Sequence, residues 1–126
     1  MLDADWLVEL FSPFGTPSVR RMFGGQGVYL AGVMVALVAD GVLYLKSDAE
    51  TAGAFDAAGL VPFAYVGKDG RRTVMSYRRA PPAALDDPDE MRPWVDLARA
   101  AAGRSAGHKK RPSSRSRAPR LATGKR

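Results

Sequence analysis

The residue types that usually perform chemistry are thinly supplied in this chain. Its 126 residues include no cysteine and one histidine, His108. Thiol nucleophiles, thiolate metal sites and disulfide staples are thereby excluded. Ser12, Ser18, Ser47 and Ser76 stand in no nucleophile-elbow context, and no histidine precedes residue 103 to act as their base. His108 has no cysteine or nearby carboxylate with which to share a metal. The acidic cluster Asp86-Asp87-Pro88-Asp89-Glu90 lacks the spacing of an EF-hand, and capping of a following helix accounts for it. Gly24-Gly25-Gln26-Gly27 matches neither G-x-x-x-x-G-K-S/T nor G-x-G-x-x-G, and no helix follows it. It reads as a tight connection or bulge between strands. A non-enzymatic protein without metal or cofactor is expected.

Positive charge is the chemistry that remains, and its distribution is uneven. The chain holds 19 Lys and Arg against 13 Asp and Glu, a formal net charge of +6. Nine of those cations and none of the acids lie in residues 103–126, so residues 1–102 keep ten cations against 13 acids, net −3. Arg104, Lys109, Lys110, Arg111, Arg115, Arg117, Arg120, Lys125 and Arg126 make the terminal segment a polycation. Such a segment neutralises phosphates and releases counterions, which gives salt-sensitive, non-specific binding to DNA or RNA. It has no aromatic residue with which to stack on bases. The contrasting reading is a solubilising extension. Within the first 102 residues, Arg20-Arg21, Arg71-Arg72 and Arg78-Arg79 fall on strand candidates. They either protect strand edges or, if their strands are neighbours, form one patch for an anionic partner.

The elements that must position these residues follow from periodicity. Asp3 or Asp5 caps a first helix whose Trp6, Leu7, Leu10, Phe11 and Phe14 recur at three- and four-residue spacing. Strands are predicted over Ser18–Phe23, Val28–Ala31, Val33–Ala39 and Val42–Lys46, with Asp40-Gly41 as a two-residue hairpin turn. Ser47 or Asp48 caps a helix ending at Gly59. A second hairpin joins Pro62–Gly67 to Arg71–Arg78. Pro81-Pro82 opens a short helical turn, and Asp87 caps a last helix with Pro88 at its first position. Met91, Trp94, Val95, Ala98 and Ala102 form its buried stripe, and Gly103 is its expected stop.

The predicted fold is therefore α+β, two-layered, in the order α-β-β-β(-β)-α-β-β-α, with a mostly antiparallel sheet. Residues 1–102 form the domain; residues 103–126, with Leu121 as their one large aliphatic residue, form a basic tail expected to be disordered. A hydrophobic share of 46% fits a globular chain. The longest apolar run, Val33–Ala39, is too short to span a bilayer as a helix, and the acidic amino terminus has no signal-peptide form, so a cytoplasmic location without membrane contact is expected. Val33–Ala39 is apolar on both alternating faces, which calls for cover on both sides. Three helices cover one side, and a homodimer partner is expected to cover part of the other.

Several ordered segments resemble the TfoX/Sxy amino-terminal domain. They are Val19-Arg20-Arg21-Met22-Phe23-Gly24-Gly25-Gln26-Gly27-Val28-Tyr29, the run Ala36–Lys46, Pro62-Phe63-Ala64-Tyr65, the run Met75–Pro81, and Pro93-Trp94. The resemblance covers about Trp6 to Ala102 and implies a two-layer fold like that of type III secretion chaperones. It also implies non-catalytic relatives that regulate natural competence genes as transcriptional co-activators. In those namesakes a second, helical domain follows, where this chain continues into the basic segment. Two functions are consistent with these features. One is a regulatory adaptor whose tail holds nucleic acid. The other is a chaperone-like protein-interaction module with an inert tail.

Overall fold

The computed structural model describes residues 2–22 and 24–110, with side chains to Gly107. Helix α1 (Ala4–Phe11) begins at Asp3, whose carboxylate accepts from the Asp5 N–H at 2.9 Å. A 3₁₀ turn (Ser12–Phe14) ends it and buries Phe14. Strands β1 (Pro17–Met22), β2 (Gly25–Leu30), β3 (Val33–Ala39) and β4 (Val42–Lys46) then form an antiparallel meander. Asp40 and Gly41 both have positive φ, 52° and 75°, as the predicted hairpin turn requires. Helix α2 (Ala52–Ala57), strands β5 (Pro62–Val66) and β6 (Arg72–Arg79), a 3₁₀ turn (Pro82–Ala84) and helix α3 (Pro88–Lys110) complete the described chain.

The six strands lie in the order β1-β2-β3-β4-β6-β5, every pair antiparallel. The α+β expectation is met by this open sheet with three helices. β6 inserts beside β4 and leaves β5 at the edge. The core lies between helices and sheet. Leu7 and Phe11 of α1, Phe55 of α2, and Met91, Val95 and Ala98 of α3 are buried with Val28, Leu30, Val35, Val38, Leu43 and Leu45. Phe55 is wholly buried and packs on Trp94 with ring centroids 5.1 Å apart. It anchors a helix of only 6 residues, which would not persist without tertiary contacts.

Four expectations are corrected. Only Gly24 of the glycine run, with a φ of 76°, serves as a tight connection; the rest is strand. Met22 pairs directly with Gly25, and Gly25, Gln26 and Gly27 are buried within β2. A Cβ on Gly25 would lie 2.1 Å from the backbone oxygen of Val38, and one on Gly27 would lie 2.7 Å from Met34 Sδ. These glycines admit neighbours to the strand. Second, the 47–59 helix is shorter, because Asp48 folds residues 48–51 into a turn. Its carboxylate accepts from the N–H groups of Glu50 and Thr51, each at 3.1 Å. Third, α3 does not stop at Gly103 but continues to Lys110. A mid-helix glycine costs about 1 kcal/mol, but Ala101 and Ala102 are buried just before it and Arg104 just after it is ion-paired. Fourth, the strand order puts β2, β3 and β4 between β1 and β6, so the arginines of these two strands are not neighbours in the sheet.

Candidate functional site

The helices cover one face of the sheet. On the opposite face, strand alternation and register align Arg20 and Met22 of β1, Tyr29 of β2, Met34 and Leu37 of β3, and Tyr44 and Lys46 of β4. Met75, Tyr77 and Arg79 of β6 continue this face, and Phe63 and Tyr65 of β5 end it. Phe63 bridges Tyr44 and Tyr65, with centroid distances of 4.9 and 6.2 Å. A cavity of about 500 Å³ is lined by Met22, Leu37, Phe63, Tyr65 and Met75, with Asp40 at its rim. Its lining comes from both ends of the strand order, so the sheet curls over its helix-free face. That curl half-buries Leu37, while Met34 is half-buried at the other end of the face, where Tyr77 and the end of α3 approach it. The cover expected from a partner is thus partly supplied by the sheet itself.

The cavity on this face is lined mainly by apolar and aromatic side chains. Tyr77 is buried, and its hydroxyl is pushed up to about 12 by that burial and then by neighbouring Tyr29. It stays protonated at neutral pH. The Lys46 ammonium lies 4.9 Å from the centre of the same ring. Among the described residues no group of three or more His, Cys, Asp or Glu side chains could hold a metal ion. Asp40 is the one carboxylate at the cavity, and no histidine accompanies it. The arrangement can hold apolar side chains; it has no acid–base pair.

The predicted arginine sites separate into distinct roles. Arg20 stacks over Tyr29, 5.1 Å from the ring centre, while Arg21 is exposed. Arg78 donates from Nη1 to Asp56 Oδ1 at 2.6 Å and to the Leu60 carbonyl at 3.1 Å. It ties α2 to β6 and presents no free charge. Arg71 lies a loose 3.7 Å from Asp69, both exposed. Arg72 and Arg79 are exposed. Lys109 and Lys110 close α3, whereas Arg111, Arg115, Arg117, Arg120, Lys125 and Arg126, and the disorder expected there, lie outside the described residues.

Arg104, counted in the sequence only as part of the tail, belongs to the fold. Its Nε and Nη2 donate to the two carboxylate oxygens of Asp48 at 2.6 and 3.1 Å, and Nε also lies 3.0 Å from Glu50. The side-chain bond from Arg104 is the main reason the Asp48 carboxyl is held below its usual value. This fork locks α3 to the turn before α2. Gln26 was likewise hidden within the glycine run. Its amide donates to the Leu2 carbonyl at 2.7 Å and accepts from the Leu2 N–H at 2.8 Å, so it completes a strand-like bridge to the amino terminus. Its one sequence signal was a polar residue at a position of β2 facing Val28 and Leu30, which are buried.

Among the described residues no helix is long and apolar enough to cross a membrane. No curated protein matches the chain. The family model described as the TfoX N-terminal domain matches residues 9–102, which takes in β1 to β6, α2, the end of α1 and most of α3. The chain, on that match and the six-stranded α+β fold it spans, belongs to the TfoX N-terminal domain family.

Proposed function

We propose that the protein is a non-enzymatic regulatory adaptor. Its fold receives a protein partner, and its basic carboxy-terminal segment holds the assembly on nucleic acid without reading sequence. Membership of the family supports the regulatory role. The observation that carries the tail's part is charge segregation: nine cations and no acid in residues 103–126, behind a domain of net charge −3. An acidic domain is repelled by phosphates, so the attraction resides in the segment. Arg104 is spent on Asp48 and Glu50 and makes no part of it. The transcriptional role implied by the resemblance makes duplex DNA the first nucleic acid to test.

The test neutralises the segment without cutting α3. Lys109, Lys110, Arg111, Arg115, Arg117, Arg120, Lys125 and Arg126 are replaced with Gln in the full chain. Binding to duplexes of unrelated sequence is measured by mobility shift across a salt series. The parent chain is expected to bind all duplexes alike. Its log affinity should fall with log salt by about 0.9 per phosphate contact. The variant should lose at least tenfold at low salt. Undiminished binding by the variant would transfer the role to Arg21, Arg72 and Arg79 and defeat the assignment.

A further inference from the structure

The sheet has one edge that is neither charged nor covered. β5 pairs with β6 alone. Its ladder with β6 is flanked by two bonds, Gly67 N–H to the Arg71 carbonyl and Arg79 N–H to the Val61 carbonyl, both at 2.9 Å, and its register shifts between Pro62 and Ala64. Tyr65 lies two residues from Gly67 and therefore also bonds towards β6, through its partner Thr73. Alternation turns the N–H and C=O groups of Ala64 and Val66 outward. Pro62–Val66 contains no charged residue. Five large apolar side chains stand exposed among the described residues, and four of them belong to this region: Val61 at 58%, Tyr65 at 48%, Val66 at 68% and Val74 at 54%.

The charges around this edge select the occupant. The hairpin exposes Lys68, Arg71, Arg72 and Arg79 against Asp69 alone, in a domain that is otherwise acidic. Arg72 pairs with Val66 and shares its face, whereas Phe63 and Tyr65 lie on the opposite face, at the cavity. A second copy pairing edge to edge would offer only Pro62–Val66, which carries no acid to meet these cations. On the Arg72 face, which Val66 and Val74 share, an acid of an incoming strand reaches Arg72 past Val66, and on the opposite face its apolar side chains meet Phe63 and Tyr65. Such a strand alternates acidic and apolar residues.

We propose that β5 captures an extended acidic–apolar segment of a partner protein as a seventh strand. The outward groups of Ala64 and Val66 hold its backbone, Arg72 its acids, and the Phe63–Tyr65 side its apolar residues. The inference rests on the adaptor reading for its premise that the fold receives a protein.

The test titrates the full chain against fluorescent synthetic peptides of alternating valine and glutamate, followed by anisotropy. The valine–glutamate peptide is expected to bind at least tenfold more tightly than its valine–lysine counterpart. Arg72→Glu should erase that preference. A β ladder uses alternate amides, so methylating every valine amide and methylating every glutamate amide should give peptides that differ at least tenfold. Ala64→Pro removes one outward donor and should weaken binding tenfold with the far-ultraviolet spectrum retained. The methylated peptides are tested on the unaltered chain, so the result stands even if that variant misfolds. Equal binding of the two methylated peptides, equal binding of the lysine peptide, or a dimer of the free chain that Val66→Lys dissociates would each overturn the proposal. The titration contains no nucleic acid. Failed peptide uptake with intact DNA binding therefore removes the β5 assignment alone, and the reverse result removes the tail assignment alone.

Discussion

β1 and β5 both open with a proline and both end the strand order, yet they are built to opposite requirements. β1 carries Arg20 and Arg21, packs beside α1, and lies against a β2 that leaves no room for a Cβ at Gly25. Its neighbour Gln26 also clamps the amino terminus through Leu2. β5 carries no charge, exposes Tyr65 and Val66, and is held by β6 alone. Edge strands template unwanted pairing unless charge, cover or twist protects them. The first edge has that protection and the second lacks it. Close packing is concentrated where nothing needs to enter, and the open backbone lies beside the aromatic face and the exposed cations.

The contrast is broken most directly by one small substitution at each end. Gly25→Ala forces a Cβ against the Val38 backbone oxygen, which no rotamer change relieves. It is expected to cost ~3 kcal/mol in denaturant unfolding, at the upper end for overpacking. Val66→Thr, on the exposed edge, should stay within ~0.5 kcal/mol. Equal effects at the two sites would remove the distinction. Gln26→Ala should follow at ~2 kcal/mol, because it strands the Leu2 backbone groups beside a buried site. Faster amide exchange at Leu2 would locate that loss.

The same two ends differ in how far the sequence discloses them. Alternation and turn chemistry suffice for the meander, since Asp40-Gly41 fixes a local hairpin and β3 and β4 must then pair. The insertion of β6 between β4 and β5 is a long-range choice that no local signal carries. The arginines consequently looked able to form one patch, when Arg78 is tied inward to Asp56 and the remainder divide between two strands. Gly103 looked like a helix stop because propensity is local, whereas the bond from Arg104 to Asp48 spans 56 residues. The glycine run showed that backbone freedom or close approach was needed without showing which. The run uses both: Gly24 has a φ of 76°, and Gly25 and Gly27 let Val38 and Met34 come near. The cavity was legible in part. Met75 and Tyr77 alternate visibly along β6, but the meeting of Met75 with Met22 across the sheet depends on its curl.

Two weaker interactions sharpen the picture at the β6 side. Arg78→Met keeps the apolar stem but leaves the Leu60 carbonyl without that donor, while Asp56 returns to water. The expected loss is ~1 kcal/mol, with faster proteolysis around α2 than around β1. The fork from Arg104 to Asp48 gives the smallest effect and the one with a defined pH signature. Hydrogen bonding from Arg104 lowers the Asp48 pKa in the folded chain beneath its ordinary value of 3.8. The folded state therefore favours the ionised carboxylate. Its stabilisation is fully present above the ordinary value and disappears as pH falls through the lowered one. Asp48→Asn should unfold at lower denaturant than the parent at neutral pH, and the gap should close in acid below the parent's lowered pKa. Arg104→Gln should produce the same convergence, because it removes the group that lowers the pKa. A gap that persisted unchanged into acid would mean that Asp48 acts through its turn with Thr51 and not through the fork, and α3 would then be free to part from the domain beyond Ala102.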